Sequence, residues 1–139
     1  MDCKFISQDD RARFLRCMIY ETVHGMPDAK RSSGTMSGTL LQHCMPLPKA
    51  ALQIQVSSTA KVLYACLLDS VLAGGVPDGS GILFTRFPIA DLAAALLRSQ
   101  QTVKRSLNEL EQAGMAVRVR QGIGEVSHIY ILLPKGDGA

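Results

Sequence analysis

At 139 residues the chain suits one compact body with a single core, and with 47% hydrophobic but only 5% aromatic residues and no Trp, that core must be aliphatic. The formal charge of +3 is mildly basic and does not by itself name a nucleic-acid partner. Cys3, Cys17, Cys44 and Cys66 form no CxxC pair and the three histidines lie at no ligand spacing from them, which argues against a zinc site and for reduced thiols in a cytoplasmic protein.

No secretory signal is expected, because acidic residues begin at Asp2 and residues 1–38 hold no uninterrupted apolar run. The apolar stretch 62–68 is too short for a membrane span and is followed by Asp69, so no membrane contact is expected either. Residues 9–23 set Phe14, Leu15, Met18 and Ile19 among Arg11, Arg13, Arg16 and Glu21, the pattern of an amphipathic helix that ends near Gly25 and Pro27. Residues 28–38, with Lys30, Arg31, Ser32, Ser33, Gly34, Ser37 and Gly38, read as a flexible linker. Residues 1–45 are therefore assigned to an N-terminal extension and residues 46–139 to a folded domain.

Pro46 and Pro48 stiffen the approach to that domain, and Ser57 or Ser58 can cap a helix to about residue 73, ended by Gly74-Gly75 and a Pro77-Asp78-Gly79 turn. Its residues 60–72 are apolar nearly all round, so it is either the central core helix or also a subunit contact. Within it Cys66 reads as a small core residue, and Tyr64 is expected to keep its hydroxyl at the surface. Residues 81–87 offer a short strand through Ile82, Leu83, Phe84 and Phe87. Pro88 then opens a helix to about residue 97, with Ile89, Leu92, Ala93, Leu96 and Leu97 on one face. Ser99 caps a further helix over 100–113 that stops at Gly114. Residues 115–121 and 127–133 are alternating β-branched runs joined by 122–126, a hairpin in which Gly122 and Gly124 serve the turn and not a phosphate loop.

Two helices on a tight connection followed by a hairpin predict an α+β, mainly α, winged helix-turn-helix fold with a C-terminal β-hairpin wing. Along 100–113, Val103, Leu107 and Leu110 share the core face, while Gln101, Arg105, Asn108 and Gln112 lie opposite, flanked by Thr102 and Lys104. Arg, Asn and Gln can read base edges, and Lys and Thr more often hold phosphates. Any surface helix has a polar face, so the hairpin is what tilts the reading. There Arg118 and Arg120 alternate with Val117 and Val119, and both guanidinium groups are expected to leave one strand face while the other is packed. The candidate DNA contacts are Gln100, Gln101, Thr102, Lys104, Arg105, Asn108, Arg118, Arg120, Gln121 and His128, the last weighed against the plainer reading of a half-exposed strand histidine. Glu109, Glu111 and Glu125 oppose the four cations of residues 99–130, so binding is expected to be modest or salt-sensitive. No nucleophile–base pair, paired carboxylates or P-loop is visible, so no enzymatic activity, cofactor, metal or small-molecule substrate is expected.

Arg120-Gln121-Gly122-Ile123-Gly124 followed by Ile129-Tyr130 resembles the "RQGxG…IY" wing of the N-terminal domain of the plasmid replication initiator protein A family. Three more segments resemble the same family: Leu47-Pro48-Lys49-Ala50-Ala51-Leu52 its "IPKALF" segment; Ala60-Lys61-Val62-Leu63-Tyr64 with Leu67-Leu68-Asp69 its "AKxLYxLLLD" helix; and Thr102-Val103 through Leu107, Leu110 and Gly114 its second motif helix. The resemblance covers about residues 46–133. It implies a winged helix that recognises repeated double-stranded DNA sites at a plasmid origin, as a homodimer, in replication or copy control of a mobile element. The apolar 60–72 helix or the amphipathic 9–23 segment would supply the dimer contact.

Two departures stand out. The family has glycine where this chain has Leu97, so the connection between the two helices is expected to run differently, and its basic Pro-Asn wing tip is replaced by Glu125-Val126-Ser127-His128. Full-length initiators continue past the wing into another domain, so a chain ending at Ala139 is not expected to fire an origin on its own. A transcription regulator and a winged helix used for protein contact are the alternative functions.

Overall fold

The computed structural model describes residues 3–13 and 45–134. In chain order it has strand β1 (Cys3–Phe5), helical backbone at residues 8–13, a 3-10 turn (Lys49–Gln53), helix α1 (Ser58–Gly74), and the short strands β2 (Val76–Pro77) and β3 (Leu83–Phe84). Helices α2 (Ile89–Leu96) and α3 (Gln100–Gln112) follow, then strands β4 (Ala116–Val119) and β5 (His128–Pro134). The linker at 28–38 and the larger part of the amphipathic segment 9–23 lie outside the described residues.

Serine starts the two longer helices. The Ser57 hydroxyl accepts from the Ala60 N–H and the Ser99 hydroxyl from the Thr102 N–H, each satisfying a donor that has no partner within its helix. At the other end of α1 a side chain on Gly75 would collide with the Val71 carbonyl, so glycine is required where the chain leaves the helix. Ala60, Leu63, Tyr64, Ala65, Cys66, Leu67, Leu68, Val71 and Leu72 of α1 are all buried. The chain itself covers them, mainly with α3, so α1 is the central core helix. Tyr64 corrects an expectation: it is 1% exposed, and its hydroxyl donates to the Leu132 carbonyl at 2.8 Å instead of reaching solvent. Burial pushes its pKa well above the ordinary tyrosine value.

Leu97 corrects another. It does not join the apolar face of α2 but is 89% exposed at the C-cap, in the left-handed region at φ 54° and ψ 44°. The Arg98 N–H reaches back to the Ala93 carbonyl at 3.0 Å, the closing bond of a glycine-type helix end. The connection is thus the turn a glycine would make, with leucine bearing the steric cost. Helix α3 ends in the more usual way, on Gly114 at φ 77°.

The sheet runs β1-β5-β4, antiparallel throughout, with Ala116 opposite Ile131 and Arg118 opposite Ile129. Strand β1 was not legible in the sequence. It pairs Cys3 with Pro134 and Phe5 with Leu132, and it delivers Ile6 into the core, fully buried. The strand expected over 81–87 shrinks to Leu83–Phe84, paired with β2, and Thr85 exchanges both backbone hydrogen bonds with Ile129, fastening this small hairpin to the wing. Among the described residues no helix is long and apolar enough to cross a membrane.

Candidate nucleic-acid interface

Val103, Ser106, Leu107 and Leu110 anchor α3 in the core, so the opposite side of the helix is fixed in orientation. That side exposes Gln100, Gln101, Lys104, Arg105, Asn108 and Gln112, as the helical spacing predicts. Among the described residues neither Lys104 nor Arg105 has an ion-pair partner, so both charges remain available to a ligand. Thr102 is half-buried, and its hydroxyl accepts from Ser99 at 2.9 Å within the N-terminal cap. The inner acid on this helix, Glu109, turns away from the face and accepts from the Ser57 backbone and hydroxyl.

The wing differs from its expected geometry. Along β4, Ala116 is buried, Val117 is exposed, Arg118 is half-buried and Val119 is exposed. Within the strand it is the valines, not Arg118, that face solvent. The reason is register: β5 buries Ile129 and Ile131, which stand opposite Arg118 and Ala116, so these partners share the inner side of the sheet. Arg118 Nη2 accordingly lies 3.3 Å from Asn108 Oδ1 and 3.1 Å from Glu111 Oε1 on α3. Arg120, one residue beyond the strand, is exposed, so the two arginines do not project as a pair. Gln121 is exposed, with its amide donating to the Val119 carbonyl at 3.1 Å.

His128 stacks on the Phe84 ring at 4.0 Å between centroids and 16° between planes, and its Nε2 accepts from Arg86 Nε at 3.3 Å. This places it on the outer side of the sheet, away from the α3 side to which Arg118 turns. Tyr130, also on the outer side, donates to Asp78 Oδ2 at 3.0 Å, while Asp78 Oδ1 accepts from the Ser80 and Ile82 N–H groups. The Ile129-Tyr130 pair thus has a structural use, with Ile129 in the core and Tyr130 clamping the wing base to the β2–β3 turn. Arg86, exposed beside the wing, is a cation the sequence reading did not single out, because nothing local ties residue 86 to residue 128. In the sequence Glu111 reads only as an opposing charge, since its pairing with Arg118 depends on the fold.

Two helices joined by a three-residue turn that opens on the left-handed Leu97, the second presenting a polar face, and a following hairpin packed beside it, define a winged helix-turn-helix protein. Residues 47–133 match the family model described as the N-terminus of replication initiator protein A, and the chain belongs to that family. Comparison with curated proteins gives no match. Among solved structures the chain is similar to one described as the N-terminal domain of a DNA-binding protein, at 17% identity and a TM-score of 0.61 over 71% of this chain and 81% of that one. It is also similar to one described as a Rep–DNA complex (19% identity, TM-score 0.59, 71% of this chain and 82% of that one). A third, described as an MDR initiator, has 21% identity and a TM-score of 0.56 over 71% of this chain and 83% of that one. At these identities the likeness is one of fold.

Proposed function

We propose that the domain binds double-stranded DNA sequence-specifically, as the origin-recognition module of a replication initiator acting in replication or copy control of a plasmid or other mobile element. The observation that carries this reading is the exposed polar face of α3, where Lys104 and Arg105 stand without an ion-pair partner among the described residues, beside Gln101, Asn108 and Gln112. Membership of the initiator family and a neighbour described as a Rep–DNA complex support it. Helix α3 enters the major groove with Gln100, Gln101, Thr102, Lys104, Arg105 and Asn108 at the DNA, and the wing brings Arg120 and Gln121 to the adjoining backbone. The protein works in the cytoplasm by binding alone, without catalysis, and as a homodimer whose two copies set the spacing of paired half-sites.

A polar, cation-bearing face favours DNA over the alternative of a winged helix used for protein contact, for which a neutral or apolar face would speak. Fluorescence anisotropy with duplexes carrying direct or inverted repeats tests the reading. A preference for one repeat sequence that survives near-physiological salt is expected, and equal affinity for all sequences would sink it. Sedimentation at micromolar protein tests the dimer separately, a strictly monomeric mass being the contrary result.

A further inference from the structure

Three side chains meet where the inner face of β4 passes α3. Arg118, whose side chain is 22% exposed, directs Nη2 to Asn108 Oδ1 at 3.3 Å and to Glu111 Oε1 at 3.1 Å. A guanidinium offers only donors, so the atom of Asn108 that faces it is the carbonyl oxygen, and the amide nitrogen with its two N–H groups is turned the other way. Asn108 itself stands exposed on the proposed reading face. Glu111 Oε1 is shielded from solvent, and the guanidinium is its ionic partner although the angle between them falls outside hydrogen-bond geometry. Moving Arg118 to a phosphate would leave that shielded carboxylate oxygen without its counter-charge, which is costly.

The geometry points to Arg118 as a positioning residue for base reading and not a backbone contact: it holds the Asn108 carboxamide so that the donor edge is presented to the DNA. The inference rests on the proposed DNA-binding role of α3. An asparagine that reads adenine uses both edges, accepting from N6 and donating to N7. With Oδ1 engaged by Arg118, Asn108 is left as a donor for purine N7, guanine O6 or thymine O4, and it is mismatched to the cytosine amino group, which only donates.

The test uses the full chain and the duplex it selects from a randomised pool, with each base pair of that site then exchanged in turn. Arg118→Met should weaken the selected site by about 5- to 100-fold. It should also change discrimination at the one position where Asn108→Ala flattens it, while affinity for random duplex and the salt slope stay as in the parent chain. In an Asn108→Ala background the same change should add nothing, because a residue that acts through another loses its effect when the other is gone. Arg118→Lys, which retains a long donor for Oδ1, should keep more of the parental discrimination than Arg118→Met.

Equal weakening on every duplex with a salt slope lower by about 0.9 would make Arg118 a phosphate contact and overturn the proposal. So would additive effects in the Asn108→Ala background. Should Arg118→Met fail to fold because Glu111 is left unpaired, the double change Arg118→Met with Glu111→Met removes both charges and reads the same quantities. Selection that returns no preferred duplex would remove the reading role of α3 and of Arg118 with it, an outcome seen with the parent chain alone and so distinct from the others.

Discussion

Ser57 and Glu109 bind each other in a way that ties the start of α1 to the last turn of α3: the Ser57 N–H donates to Glu109 Oε1 at 3.2 Å and its hydroxyl to Oε2 at 2.8 Å. The same hydroxyl accepts from the Ala60 N–H, so one serine both caps α1 and donates a hydrogen bond to the other helix. Hydrogen bonds to an ionised acceptor are stronger than neutral ones, but these are near the surface, so Glu109→Ala should cost about 1–2 kcal/mol. Ser57→Ala should cost a similar amount, and the two together less than their sum, because they break one shared cluster. Urea denaturation of the four-member cycle reads this directly, and strict additivity would mean that the two residues act independently.

Leu97 is the inverse case, a residue that its own position disfavours. A leucine in the left-handed region bears a cost of about 1–2 kcal/mol, and at 89% exposure its side chain recovers little by packing. Leu97→Gly should therefore raise stability by about 1 kcal/mol, after allowing for the greater freedom of glycine in the unfolded chain. Leu97→Ala, which keeps a Cβ, should gain little. A glycine variant that melted lower than the parent would show that the exposed leucine makes a contact that matters.

The helices were legible because what sets them is local. Ser57 and Ser99 cap their helices where the sequence places them, and Val103, Leu107 and Leu110 turn inward at the expected spacing. What the sequence could not reveal depends on partners distant along the chain. The strand Cys3–Phe5 is three residues long and carries no pattern of its own, and its partner begins at Leu132. The alternation of Val117, Arg118, Val119 and Arg120 fixes that two faces exist but not which is inward. Burial of Ile129 and Ile131 across the hairpin decides that, against the intuition that valine packs and arginine does not.

Asp78 makes the wing base sensitive to acid. Backbone hydrogen bonding from Ser80 is the main cause holding its carboxyl below the ordinary aspartate range, partly opposed by desolvation and aided by the Ile82 N–H and the Tyr130 hydroxyl. A depressed folded pKa means that the carboxylate contributes stability above its unfolded value near 3.8, and that this contribution fades as pH falls through the lower folded value. Asp78→Asn should thus lower the melting temperature at neutral pH, with the gap to the parent closing only as pH falls below the ordinary aspartate value of 3.8. Tyr130→Phe, which removes one donor, should produce a smaller effect of the same sign. A gap that stayed constant from neutral pH through this acid range would show that the clamp does not depend on the ionised carboxylate.

Arg105 and Arg120 should divide sequence preference from general affinity. Arg105 projects from the outer face of α3, between Gln101 and Asn108, where its planar fork can meet a guanine edge with two hydrogen bonds. Arg105→Ala should then cost about 1–3 kcal/mol on the preferred duplex and little on random DNA. Arg120 is exposed just beyond β4, on a wing that in the proposed docking lies beside the groove and not within it. Its role is charge neutralisation, so Arg120→Ala should weaken all duplexes alike and reduce the dependence of log K on log salt by about 0.9, the value of one released counterion. Because residues 99–130 carry only one more cation than acid, losing a single phosphate contact is a large share of the local field and should be measurable at low salt. Equal losses on both kinds of duplex for Arg105→Ala, or a loss of preference alone for Arg120→Ala, would mean that helix and wing exchange these roles, and the docking with α3 in the major groove would have to be abandoned.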